Sequence, residues 1–193
     1  MKKMNNKGFS LVELIIVIAI MAILAGAIAP ALIRYIDKSR RSNDVSAAKT
    51  IKTAVETAMA NENTYELLTT GATNTVGFEG DTASTSYNGM LTVDGGGVTT
   101  AGGAGITVDL KGSVKNGGTD ITATAESEAK VEIGKNIGEK TPKIKFKKDP
   151  KGANGSVPTD FVVYCTAGGN VVVGVKAGTT VYQLAPEVSK YYQ

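Results

Sequence analysis

The chain is 193 residues long, contains no histidine or tryptophan and a single cysteine, and carries a formal net charge of +3. Without histidine the chain lacks the commonest general base and a common metal ligand, which argues against most enzyme classes. Cys165 has no partner for an intrachain disulfide, so an exported domain would depend on packing and sheet hydrogen bonds.

The positive charge lies at the start of the chain, on Lys2, Lys3 and Lys7. Removing residues 1–8 lowers the basic residues from 21 to 18, equal to the 18 acidic residues. A neutral remainder argues against general binding to nucleic acid.

Residues 14–33 form an uncharged, strongly apolar run. At 1.5 Å per residue a helix of this length spans about 30 Å, the thickness of the bilayer core. The alternative is a secretory signal peptide cut after Ala29. Pro30 would follow that cut directly, where a peptidase grips extended backbone and proline offers no N–H. We therefore predict that residues 9–33 span a membrane as a helix.

Neither glycine nor proline interrupts residues 31–61. Apolar side chains recur there at helical spacing, at Val45, Ala48, Ile51, Val55 and Met59. The opposite face is predicted to carry Asp44, Lys49, Lys52 and Glu56. One helix from about residue 9 to about residue 62 is expected, and its half at residues 34–62 needs a partner surface.

Residues 63–118 are predicted to be a loop region rich in glycine and threonine. Residues 71–118 hold 13 of the 23 glycines, and strands are expected there only at residues 90–93 and 106–110. The glycines match neither the dinucleotide nor the Walker pattern. Asp94 and Asp109 flank them, but two carboxylates fifteen residues apart only weakly indicate a calcium site. No metal and no cofactor is predicted.

Residues 119–193 are predicted to form an antiparallel sheet. β-branched runs at residues 161–166, 171–176 and 179–184, joined by glycine turns, indicate a meander. One apolar face of this sheet should cover the helical stripe, with Cys165 as a small core residue. The expected fold class is α+β, a long N-terminal helix packed by its second half against a C-terminal antiparallel sheet.

Two further segments, ESEAKVEI and KIKFKK, alternate like strands. Paired strands would place carboxylates opposite amines at about 0.2–1 kcal/mol for each pair. The facing residues would be Glu128, Lys130 and Glu132 on one strand and Lys143, Lys145 and Lys147 on the other. The alternative for these three lysines is a basic groove for DNA or another acidic partner.

The amino-terminal segment KGFSLVELIIVIAIMAILAGAIAPALIRYIDKSR combines several specific features. A short basic leader ends at Gly8, Phe9 and Ser10 follow, Glu13 stands fifth after the glycine, and Pro30 lies within the apolar run. Together these residues closely resemble the start of type IV prepilins. The resemblance covers about residues 1–60, while the rest of the chain is similar to that family only in its plan.

The resemblance implies a processing pathway. A membrane prepilin peptidase would remove residues 1–8 by cutting after Gly8, and Phe9 would become an N-methylated amino terminus. The chain would cross the cell membrane once with its N-terminus in the cytoplasm, and then enter an extracellular filament of identical subunits. An assembly platform and a motor ATPase are the other implied partners, and no enzymatic activity is expected.

Glu13 places a charged side chain at the edge of the apolar run, where insertion into lipid is unfavourable. A carboxylate at the bilayer centre costs on the order of 2.5–3.5 kcal/mol, and less near the interface. Our hypothesis is that it pairs with the Phe9 amine of a neighbouring subunit during filament assembly. The alternative is a side chain that merely reaches the lipid headgroups.

Gly26 and Pro30 mark a weak turn, because the proline removes one helix hydrogen bond and crowds the carbonyl of residue 26. The resemblance implies that this turn melts in a filament. The alternative is a simple kink.

A second function is compatible with the same amino-terminal motif. A pseudopilin of a type II secretion or DNA-uptake machine would share the whole amino-terminal motif. The missing disulfide and the glycine-rich insertion depart from many family members, so no specific adhesive role is predicted.

Overall fold

The structure, a computed structural model, describes residues 9–70, 73–80, 84–93, 98–100, 106–108, 115–116, 119–120, 123–137, 142–152 and 155–193. The chain divides into two compact units, Met1–Ser39 and Arg40–Gln193. The second unit is called the head below.

The first helix, α1, covers Leu11–Ala58 and continues through Pro30. Every described side chain from residue 9 to residue 36 is exposed, and Phe9 is 88% exposed. Among the described residues α1 is the one helix that length and composition would allow to cross a membrane.

Within the head, α1 buries the predicted stripe. Ala48, Ile51, Val55 and Met59 are buried, and Val45 is partly buried against the same core. The placement of Asp44 on the polar face was wrong, because this side chain is fully buried. Residues 44, 48 and 51 follow the spacing i, i+4, i+7 and therefore share one helical face.

The long helix ends earlier than predicted. A second helix, α2, covers Glu62–Thr69, and Asn61 is its N-cap. The Asn61 Oδ1 accepts hydrogen bonds from the backbone N–H of Asn63 at 3.0 Å and of Thr64 at 3.4 Å. Asparagine is a favoured N-cap because it satisfies such free N–H groups, so the chain starts a new helix here.

Ten strands and a third helix follow among the described residues. In chain order they are β1 (Asn74–Gly77), β2 (Ser84–Tyr87), β3 (Gly89–Val93), β4 (Val98–Thr100), β5 (Ile106–Val108), β6 (Lys115–Asn116), β7 (Thr119–Asp120), α3 (Ala123–Ile137), β8 (Asp160–Cys165), β9 (Val171–Ala177) and β10 (Thr180–Ala185). A six-stranded antiparallel sheet has the order β10-β9-β8-β3-β6-β7. The hairpins β1-β2 and β4-β5 form two small separate sheets.

The predicted C-terminal meander is confirmed. Its register pairs Val163 with Val173 between β8 and β9, and Thr180 with Ala177 between β9 and β10. The second pair closes a two-residue turn in which Gly178 has a φ of +63°. That conformation favours glycine, which explains why the sequence carries it there.

One face of the large sheet packs on α1, as predicted, and the α+β class is confirmed. The buried side chains on this face include Phe161, Val163, Cys165, Val173, Val175 and Leu184. Burying a side chain of the size of Ile51 or Val55 of α1 contributes roughly 1.5–3 kcal/mol. The helix stripe and the sheet therefore make one core.

The opposite face of the large sheet is also covered, which the sequence did not predict. Val162, Tyr164, Val172 and Val181 are buried on the opposite face with Phe78. Partly buried residues of the β1-β2 region, Val76 and Tyr87 among them, pack against this second cluster. The sequence predicted a loop there, so the second covering layer was missed.

The predicted pairing of ESEAKVEI with KIKFKK was also wrong. The first segment lies in α3, where Ala129, Ile133 and Ile137 are buried at i, i+4, i+8. The Glu132 Oε2 lies 3.6 Å from the Lys135 Nζ of the same helix. An eight-residue window is too short to separate this helical period from the strand alternation.

The second segment, residues 143–148, alternates as expected but joins no strand. Ile144 and Phe146 are buried, and the intervening lysines are exposed. Its backbone N–H groups at residues 145 and 146 bond instead to the carboxylate of Asp44 in α1.

Candidate functional site

The start of α1 holds the predicted assembly residues. Because α1 begins at Leu11, Ser10 precedes its first turn and Glu13 is the third helical residue. The backbone N–H of Ser10 donates to Glu13 Oε2 at 2.9 Å. This contact is one half of a capping box, the Ser-x-x-Glu pattern in which the glutamate side chain returns to the N-cap N–H. The Ser-x-x-Glu spacing in the sequence is the signal that predicts this contact.

The capping contact leaves part of the carboxylate free for another molecule. An ionised carboxylate has about four acceptor positions, and Ser10 occupies one of them. Among the described residues, Glu13 Oε1 has no hydrogen-bond donor. A negative charge is also favourable at a helix N-terminus, by about 0.3–1 kcal/mol. Glu13 can therefore cap its own helix and accept a second donor at once.

The other predicted residues of this region stay predictions. Gly8 lies outside the described residues, and Phe9 is exposed beside the start of the helix. At Gly26 an added Cβ would meet no atom within 4 Å, and helix α1 continues past Pro30.

The predicted basic surface lies on the head. The lysine row is defined as Lys143, Lys145 and Lys147, whose side chains are all exposed. In the part of the chain that the structure describes, none of the three forms an ion pair, so the predicted glutamate partners are not met.

Asp44 anchors the lysine row to α1, a role that the sequence did not reveal. Its Oδ1 accepts the Lys145 N–H at 2.6 Å and its Oδ2 accepts the Phe146 N–H at 3.0 Å. Burial raises the pKa of the Asp44 carboxyl above its ordinary value of 3.8, and the two hydrogen bonds and the charges of Lys147 and Lys145 partly offset that rise.

Aromatic residues pack at the corner of the head where Asp44 bonds to the backbone of residues 145 and 146. The Arg41 guanidinium carbon lies 4.5 Å from the centre of the Phe146 ring, and Phe146 packs edge-on against Tyr192 with 5.7 Å between centroids. Burial, and then the nearby Asp44 charge, raise the pKa of the Tyr192 hydroxyl. These contacts hold the C-terminus and residues 142–148 on α1, so the corner stabilises the head.

A shallow groove of about 420 Å³ lies between α1 and α3. It is lined by Ser46, Lys49, Thr50, Thr53, Ala54, Thr57 and Asn136. The hydroxyls of Thr50 and Thr57 donate to carbonyls one turn earlier in α1, and Asn136 Nδ2 donates to the Ala54 carbonyl at 3.4 Å. No constellation for nucleophilic or acid–base chemistry lines this groove.

The described residues include no group of three acidic, cysteine or histidine side chains that could hold a metal ion. Asp94 and Asp109 lie outside the described residues. Cys165 is a buried core residue, as predicted, and burial raises its thiol pKa to about 12. The thiol is therefore protonated at neutral pH and chemically quiet.

Comparison with known proteins decides the family. Residues 3–29 match the family described as "Prokaryotic N-terminal methylation motif". The chain is 32% identical to "Type IV major alpha-pilin" of Moraxella bovis over 134 residues, which cover 68% of this chain and 76% of that protein. The chain belongs to the type IV pilin family. It is also 45% identical to "Fimbrial protein Q" of Moraxella bovis over 62 residues, or 32% of this chain and 40% of that one. No solved structure matches it.

The resemblance inferred from the first residues of this pilin is thereby confirmed. Its exposed apolar helix and its family fit a membrane-anchored subunit that becomes part of a surface pilus. Its pilin relatives are structural proteins, and the methylation motif implies processing by a peptidase.

Proposed function

We propose that this pilin is the structural subunit of a type IV pilus filament, polymerised through the first part of α1. The observation that carries the proposal is the uncovered apolar surface of residues 11–33. Lipid would cover this surface before assembly, and the same segment of neighbouring subunits would cover it in the filament. Exposed apolar surface of this extent is stable only where something other than water contacts it.

Processing would prepare the amino terminus for assembly. The cut would fall between Gly8 and Phe9, with the leader in the cytoplasm, and the new Phe9 amine would carry a methyl group. The matched methylation motif spans both residues, which supports this assignment. The three leader lysines would then be lost, leaving the amine of Phe9 as the first positive charge of the chain.

Glu13 would receive that amine from a neighbouring subunit. An ammonium buried without a partner in a low-dielectric filament core costs several kcal/mol, and a carboxylate at hydrogen-bond distance offsets much of that cost. The geometry supports this role, because Ser10 engages only Oε2 of the carboxylate. Pairing between subunits would also fix their axial register.

The need for assembly partners follows from the free-energy cost of moving α1 out of the membrane. Moving an apolar helix out of lipid is unfavourable until filament neighbours cover it, so a platform and a motor ATPase would couple the transfer to energy release. The turn at Gly26 and Pro30 would be the place where the helix opens during this step, because Pro30 removes one of its helix hydrogen bonds. The pilin names of the relatives favour a filament subunit over a pseudopilin.

Two measurements test this function. Intact-mass analysis of the protein sheared from cells should show loss of residues 1–8 and gain of one methyl group. Immunoelectron microscopy with antibody to the head should label long surface filaments. A mature chain cut after Ala29 would contradict the proposal, since the polymerising helix would be gone, and processed protein confined to the membrane without filaments would favour a pseudopilin.

A further inference from the structure

Two oppositely charged surfaces of the head form no ion pair among the described residues. One is the lysine row, and the other is the acidic face of α2, defined as Glu62 and Glu66. Both glutamates are exposed, while Thr64 and Leu68 of the same helix are buried. Neither surface contributes to an ion pair within the described part of the chain.

The two surfaces lie at opposite ends of the head segment of α1. Asp44 holds the backbone of the lysine row, whereas α2 begins just beyond the last residue of α1, Ala58. Ala58 lies fourteen positions after Asp44 in the helix, a rise of about 21 Å. The row and the acidic face form no ion pair with each other in the described part of the chain.

Their spacings also match. Successive lysines of the row are two residues apart on an extended backbone, which places them about 6.6 Å apart along the chain. Glu62 and Glu66 are four residues apart on a helix, a rise of about 6 Å. Two lysines can therefore face two carboxylates at the same time without a change in backbone.

We propose that the lysine row docks on the acidic face of α2 in a second copy of this chain. The contact rests on the proposed filament function and adds the partner surface that orients the heads. It joins two different patches, so it is heterologous, and a repeated heterologous contact builds an open helical polymer rather than a closed dimer. Charge complementarity of this kind chooses the partner and fixes its register more than it adds affinity.

Charge reversal on either side tests the contact. Lys143→Glu with Lys145→Glu, or Glu62→Lys with Glu66→Lys, should each lower the filament yield about tenfold, because like charges would then face each other. Combining all four changes should restore most of the yield. The matched control is Lys49→Glu with Lys176→Glu, which reverses two exposed lysines outside the row and should leave the yield unchanged.

Subunit levels in the membrane and the thermal melt of the detergent-extracted protein separate lost assembly from lost folding. Native filament numbers from the lysine-row reversal, or no recovery in the combined variant, would overturn the contact while leaving the filament function intact. Normal filaments that lose salt-dependent binding of duplex DNA would also overturn it and assign the row to nucleic acid. Absence of filaments from the native chain would overturn the proposed function and the contact with it.

Discussion

Residues 11–33 and residues 44–58 belong to one helix, yet their apolar side chains have opposite surroundings. The first stretch is apolar on every face and all of its side chains are exposed. The second is apolar along one stripe, and that stripe is buried under the sheet. The distribution of apolar residues around a helix thus indicates what covers it: a stripe fits one protein surface, whereas an all-round apolar helix needs lipid or several neighbours.

Two carboxylates of α1 differ in the same way, one buried in the head and one exposed near the start of the helix. Asp44 is buried and bonds only within its own subunit, to the N–H groups of Lys145 and Phe146. Glu13 is exposed and uses one oxygen to cap its own helix. The first carboxylate joins two segments of the head, whereas the second keeps acceptor capacity that no donor among the described residues occupies.

Truncating one isoleucine in each stretch should give the largest difference in the free energy of unfolding. Ile51→Ala removes a fully buried side chain from the core and should lower the free energy of unfolding of the head by about 2–5 kcal/mol. Ile23→Ala, at an exposed position, should change it by less than about 0.5 kcal/mol. Denaturant titration of the detergent-solubilised protein measures both, and equal losses would show that the two stretches do not differ as described.

Removing a carboxylate should lower the stability of the head more at the buried Asp44 than at Glu56, which forms an exposed ion pair. Asp44→Ala leaves two backbone N–H groups without their acceptor and should cost about 2–4 kcal/mol of stability. Glu56→Ala breaks an exposed pair with Lys52 and should cost less than about 1 kcal/mol. A loss at residue 44 as small as that at residue 56 would mean that water replaces the carboxylate, and that Asp44 does not hold the lysine row.

A smaller effect should appear as pH dependence. The pKa of Asp44 is raised in the folded head, so the folded state binds more protons than the unfolded state just above pH 3.8. Stability contributed by this residue should therefore fall as pH rises from 3.8 through the folded pKa. Asp44→Asn should remove that part of the slope, and an unchanged slope in the variant would assign the pH dependence to other groups.

The smallest effect is expected at Cys165. Its buried thiol, with a pKa raised to about 12, should resist alkylation at pH 8 until the head unfolds. The melting temperature should be the same with and without reductant, because the described structure holds this cysteine as a free thiol. Rapid labelling of the native protein, followed by mass spectrometry, would contradict its place in the core.

The sequence was sufficient where one period ran over many residues. The all-round apolar run, the stripe from Ala48 to Val55 and the three strands of the meander all repeat long enough to decide between helix and strand. The motif around Gly8, Phe9 and Glu13 identified the family for a different reason, since it matches a shared amino-terminal pattern at residues 3–29 and does not depend on how the head packs.

The sequence failed where tertiary contacts decide the outcome. ESEAKVEI fits a strand over eight residues, and only burial of Ala129, Ile133 and Ile137 along the longer α3 shows the helix. KIKFKK alternates correctly, but its backbone N–H groups go to Asp44, a residue 101 positions away from Lys145. The β1-β2 hairpin has few apolar residues of its own and is held against the sheet through Phe78, Val76 and Tyr87.

We propose that the charge of Glu13, and not only its capping bond, drives filament assembly. Glu13→Gln separates the two, because the amide oxygen can still accept the Ser10 N–H but brings no charge to the Phe9 amine. Filaments per cell, counted by electron microscopy in a strain that expresses only this variant, are the measurement. We predict normal membrane insertion and normal cleavage after Gly8, with few or no filaments. Native filament numbers from Glu13→Gln would show that the charge is dispensable and leave apolar packing of the exposed helix as the driving force.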